Sequence, residues 1–99
     1  MIKKNNSDKI SLCIPRLDKE IHVSYVSDIF KNKLKIGLID RVEFYYNKDN
    51  TSKKAFLYFR EWYNNPQSEK FLEKIKNEES MKIMYEFPNF WKCVLNTKK

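Results

Sequence analysis

Apolar residues recur in this chain at two periods, and the order in which the periods alternate leaves few folds open. Ile10, Leu12 and Ile14 alternate with Ser11 and Cys13, the signature of a strand with one buried face. Pro15 ends that run. After a connection over residues 16–23 the period lengthens, and Val26, Ile29, Phe30 and Leu34 lie on one helical stripe. Ser24 suits the N-cap, because its hydroxyl can accept from an amide two or three residues on. Gly37, the only glycine, falls where a helix C-terminus favours a left-handed residue. Residues 38–46 return to period two through Val42 and Phe44, and residues 47–52 form a polar turn cluster. In a third strand, residues 54–60, Ala55, Leu57 and Phe59 take one face; Lys54, Phe56, Tyr58 and Arg60 take the other. Asn65-Pro66 opens a second helix with an apolar stripe of Phe71, Leu72 and Ile75. Its acids, Glu69 and Glu73, come early and Lys74 and Lys76 late, which complements the helix dipole. The remainder reads as a strand with a preceding extended piece, or as a small hairpin, over 81–87 and 90–95.

The order strand, helix, strand, strand, helix, strand predicts an α+β, ferredoxin-like βαββαβ domain. Its four-stranded antiparallel sheet would hold strands one and three in the middle and both helices on one face. The expected domain spans residues 10–95, between a flexible basic tail at 1–9 and a short tail at 96–99.

With 99 residues there is room for one such domain. No apolar run approaches the length of a membrane span, and no apolar stretch follows the N-terminal charges. The expectation is a protein made and kept inside a cell, without a membrane partner. Cys13 and Cys93 lie near opposite ends, and His22 is the single histidine, so no metal-ligand spacing is present. One glycine cannot build a phosphate-cradling loop. These features predict a non-enzymatic module with no metal and no cofactor. The net charge of +7 favours a polyanionic partner, although the same lysines also serve as a solvated surface.

If helices cover one face of the sheet, the other decides what the domain does. Alternation assigns to it Cys13 from strand one, Arg41, Glu43 and Tyr45 from strand two, and Lys54, Phe56 and Tyr58 from strand three. Rings interleaved with cations suit single-stranded nucleic acid, because bases stack on the rings while cations hold the phosphates. The expected roles are stacking for Phe56, assisted by Tyr58 and Tyr45, and phosphate steering for Lys53, Lys54, Arg41, Arg16 and Lys92. Single-stranded RNA is the first expected partner and single-stranded DNA the second. The alternative is a protein partner or homodimer docked on the same face. Trp62 and Trp91 read as packing residues.

Residues 52–59, Ser-Lys-Lys-Ala-Phe-Leu-Tyr-Phe, resemble the strand-three motif of the RNA-recognition-motif family from Ala55 onward. Leu12-Cys13-Ile14-Pro15-Arg16-Leu17 echoes that family's strand-one motif. Of its three usual stacking positions, Phe56 keeps a ring, Lys54 and Cys13 replace the other two, and Lys53 stands for a glycine. The spacing of Phe30 and Gly37, the run Arg41-Val42-Glu43-Phe44 and the pair Trp91-Lys92 are similar to RNA-recognition-like proteins of large DNA viruses. The resemblance implies RNA binding without catalysis, in a viral protein of the host cytoplasm or nucleus, or of the virion.

Overall fold

The computed structural model describes residues 10–77, 79–86 and 88–96. Five strands and two helices follow one another as β1 (Ser11–Asp18), α1 (Val23–Asp28) running on into a π-helical turn (Ile29–Lys33), β2 (Gly37–Tyr46), β3 (Ser52–Trp62), α2 (Pro66–Lys76), β4 (Met81–Glu86) and β5 (Asn89–Leu95). All five strands join one antiparallel sheet in the order β2-β3-β1-β5-β4. This corrects the four-stranded ferredoxin-like expectation. The final apolar stretch turns back at Pro88-Asn89 and forms a β4–β5 hairpin, so a fifth strand lies at the sheet's edge beyond β5. The expected tails at 1–9 and 97–99, and Phe87 at the end of the expected strand, lie outside the described residues. Asn96 is not tail: its amide donates to Ser11 O at 3.0 Å and its Nδ2 to Ser11 Oγ at 3.1 Å.

Pro15 does not end β1. The register passes from Ile14↔Ala55 to Leu17↔Lys53, so Pro15 and Arg16 both stand opposite Lys54 in a bulge. A bulge spares a proline from the ladder bond it cannot donate. Asn47 Nδ2 donates to Pro15 O at 3.2 Å and fastens the bulge to the β2–β3 turn.

The first helix also differs from its expected boundaries. His22, not Ser24, occupies the N-cap, and its side chain makes no capping bond. The helix then widens, Leu34 N donating to Ile29 O at 2.8 Å and Ile36 N to Phe30 O at 3.0 Å. Ile29 and Phe30 are both buried at the start of this widened turn. Gly37 is the first residue of β2, and the left-handed residue is Lys35, at φ 57°. Glycine is required at 37 for space: a Cβ there would lie 2.6 Å from Glu61 O and 2.9 Å from the Phe59 ring.

α2 begins as its sequence predicts, with Pro66 at the first position and the Asn65 side chain accepting from Ser68 N at 2.7 Å. One hydrophobic cluster joins Val26, Ile29 and Phe30 with Phe71 and Ile75 of α2 and with Leu12, Ile14, Leu57, Ile83, Trp91 and Cys93 of the sheet. Trp62 stacks on Phe59 at 3.9 Å between ring centres, and Trp91 on Tyr85 at 4.5 Å, so both tryptophans are packing residues. Apolar burial of this kind contributes roughly 25 cal/mol per Å² and is the main force holding the helices to one face. Among the described residues, no helix is long and apolar enough to cross a membrane.

Candidate nucleic-acid interface

Residues directly opposed in an antiparallel pair share a face, so register alone assembles the side away from the helices. Glu43, Phe56 and Cys13 form one cross-strand row, which Val94 extends into β5. Arg41, Tyr58 and Ser11 form the next, and Tyr45 stands opposite Lys54 in a third. Lys92 lies two residues from Val94 and therefore on the same side, opposite Lys82, with Phe90 opposite Met84 beyond them.

Glu43 organises the centre of this face. Its carboxylate accepts from Arg41 Nε at 3.2 Å, from the Tyr45 hydroxyl at 3.3 Å and from the Tyr58 hydroxyl at 3.5 Å. The Arg41 guanidinium lies over the Tyr58 ring at 4.1 Å, holding a cation against the sheet. Lys54 Nζ stands 6.0 Å from the Phe56 ring, and the Phe56 ring meets Tyr45 edge-on at 5.7 Å. The face thus carries rings, cations and one central carboxylate on rigid strands.

The ring that presents itself differs from the sequence expectation. Phe56 is 8% exposed and Cys13 9%, although neither belongs to the helix-side cluster. They form a small apolar floor beneath their row neighbours. Tyr45, at 49% exposure, is the open ring, with Phe56 behind it as support. A phenylalanine so covered offers little surface for stacking, and Tyr45 offers more.

Cys13, Arg41, Tyr45, Lys54, Phe56 and Tyr58 are therefore brought together as alternation predicts. Lys92 stands on the outer half of the same face. Arg16 lies at the β1 bulge, well exposed and paired with Asp49 of the β2–β3 turn. Lys53 does not belong to the site. It pairs with Leu17 on the helix side, is 5% exposed, donates to Ile21 O at 2.6 Å and sits 3.7 Å over the Phe44 ring. Its alternation with Lys54 carries the reason: adjacent strand residues point to opposite faces. Lys82 and Arg60 are the cations that sequence reasoning left out of the steering set. Lys82 was hidden because its face depends on the β4–β5 register, whereas Arg60 follows from the alternation of β3.

Neither cysteine is poised for chemistry. Cys13 stands opposite Val94, so Cys93 points to the other face and the two thiols are free. Burial pushes the Cys93 thiol far above its ordinary value and also raises that of Cys13, where the Lys54 charge acts in the opposite sense. No protein-family model, characterised protein or solved structure matches the chain.

Proposed function

We propose that the sheet face bearing Arg41, Tyr45, Lys54 and Tyr58 binds single-stranded nucleic acid, RNA before DNA, as a non-catalytic module. The observation that carries the reading is the interleaving itself: Arg41 over Tyr58, Lys54 beside Phe56 and an exposed Tyr45, all on one uncovered face. A base stacked on Tyr45 gains roughly 1–3 kcal/mol, and backbone phosphates follow the line of Arg41, Lys54 and Lys92. Lys82 and Arg60 extend the positive field on either side. Residues 55–59, which carry the likeness to the RNA-recognition-motif family, supply Phe56 and Tyr58 to this face. A distant relation to that family and to its counterparts in large DNA viruses belongs to the same proposal.

The test is a fluorescence-anisotropy titration of a mixed-sequence single-stranded RNA at about 50 and about 200 mM salt. Binding is expected to weaken steeply with salt, and Tyr45→Ala to cost about 1–3 kcal/mol at either concentration. Absent binding, or binding indifferent to both salt and Tyr45, overturns the reading.

One observation favours a second reading, in which the same face docks a protein or a second copy of the chain. Met84 and Phe90 stand opposed and exposed, at 38% and 45%, on its outer end. A dimer that sedimentation detects at high salt, and that Phe90→Ser dissolves, would move the assignment to this reading.

A further inference from the structure

A groove of about 340 Å³ lies on the other side of the molecule, between α2, the end of the π-helical turn and β4. Its volume is in the range of small-ligand and side-chain pockets. The floor is apolar: Leu34, Phe71, Met81 and Ile83 line it. The rim is basic: Lys33, Lys70 and Lys74 border it, Gln67 is its neutral polar residue, and among the described residues no carboxylate lines it. A third feature is topological. β4 is the last strand in the sheet order, among the described residues it pairs only with β5, and Met81, Lys82 and Ile83 of this edge strand line the groove. Lys33 Nζ already reaches across to a β4 carbonyl, Tyr85 O, at 3.2 Å.

We propose that this groove binds an extended acidic peptide of a partner protein, which adds to β4 as a sixth strand. Strand addition uses the main chain of an edge for affinity and an adjacent pocket for alternate side chains. An apolar side chain of the peptide would enter the floor between Phe71 and Ile83. Acidic side chains would meet Lys70 and Lys74 on one side and Lys82 on the other. Charge argues against the chain itself as occupant. Residues 1–9 carry three lysines against one aspartate, residues 97–99 carry two lysines, and a second copy would bring a net charge of +7. A small anionic amphiphile would satisfy the lysines but leave the strand edge unused.

The probe is a fluorescent peptide of about six residues alternating Glu with Val or Leu, beside an all-Glu peptide of equal length. With the full chain, the alternating peptide is expected to bind more tightly than the all-Glu one and to slow amide hydrogen exchange in β4. The double substitution Lys70→Glu and Lys74→Glu lies on exposed helix positions and should lower affinity about tenfold or more. Circular dichroism of the variant checks that its fold is kept, and the double substitution Lys19→Glu and Lys48→Glu, at exposed positions outside the groove, makes the same change in net charge and should leave affinity unchanged. Equal binding of the two peptides, an unchanged affinity in the double variant, or binding without protection of β4 overturns the proposal. So does dodecanoate binding in the groove where the peptide fails, which would make the occupant a small amphiphile.

Discussion

Lys53 and Lys54 are adjacent and chemically identical, and the fold gives them opposite tasks. The stem of Lys53 is packed in the protein, and its ammonium is held by Ile21 O and the Phe44 ring. Lys53→Ala is expected to destabilise the fold by about 2 kcal/mol, by removing a charged hydrogen bond and leaving a carbonyl unpartnered. It should leave RNA affinity unchanged, whereas Lys54→Ala should weaken binding with little effect on stability. Urea denaturation and anisotropy on both variants check this, and a reversed pattern would contradict the assignment of faces. Asp49 is the residue with a pH signature. The Thr51 amide first, and then the Arg16 guanidinium, hold its carboxyl below the usual carboxylate range. A folded-state value below the unfolded one means that the ionised group stabilises the fold above about pH 4 and that this is lost as acid protonates it. Stability of the native chain should therefore fall more steeply below about pH 4 than that of Asp49→Asn, as denaturation midpoints across the acid range would register. Identical acid limbs would show that the pair is too well solvated to matter. The two thiols offer a third check. Cys93 should resist alkylation at neutral pH until the chain unfolds, with Cys13 slower than a free thiol but faster than Cys93.

At the scale of elements, the glycine is the plainest case of a residue chosen for space. Gly37→Ala would set a methyl group against Glu61 O and the Phe59 ring at once, and one of these contacts is main chain. The expected cost is about 1–3 kcal/mol, read as a lowered urea midpoint with an unchanged slope. The sequence suggested helix termination as Gly37's role, because a lone glycine after an apolar stripe is the usual sign of one. Lys35 took the left-handed position instead, and Asn65 Nδ2 donates to its carbonyl at 2.9 Å. Strand alternation was legible where the pairing is regular, over residues 41–46 and 53–58 and at Leu12 and Ile14; it fails beside Ile39, where the β2–β3 register shifts on either side, and at the β1 bulge. The π-helical turn was not legible, since an apolar stripe reads alike through a regular or a widened turn. Nor was the extent of β1, because a proline in a strand signals an end unless a bulge absorbs it. The face residues were found by alternation, but their relative exposure depends on neighbours across strands. Phe56 thus lies on the face that alternation assigns to it, yet its ring is largely covered.

For the molecule as a whole, the fifth strand changes most. It widens the uncovered face by the Lys82–Lys92 and Met84–Phe90 pairs, and it places a strand edge that is unpaired among the described residues beside a lysine-rimmed groove. The register of this hairpin was hidden because β4 and β5 are short and their pairing depends on one turn at Pro88-Asn89. If the whole face tracks a nucleic-acid backbone, replacing Lys92 by Ala should lower the slope of log affinity against log salt by about 0.7. An unchanged slope would confine the contact to β1–β3.

The hairpin joins the rest of the sheet through a narrow seam, Leu12↔Leu95 and Cys13↔Val94, with the Asn96–Ser11 bonds at its end. Those pairs connect positions at opposite ends of the chain, whereas β2 and β3 are joined by one short turn. Closing the longer loop has the greater entropic cost and comes before its few contacts can offset it. The expected order of folding is that β2 and β3 pair first, β1 adds to them, and β4–β5 docks last. Leu95→Ala should then speed unfolding while leaving the folding rate almost untouched, whereas Leu57→Ala should slow folding. A folding rate that falls as much for Leu95→Ala as for Leu57→Ala would put the seam inside the nucleus.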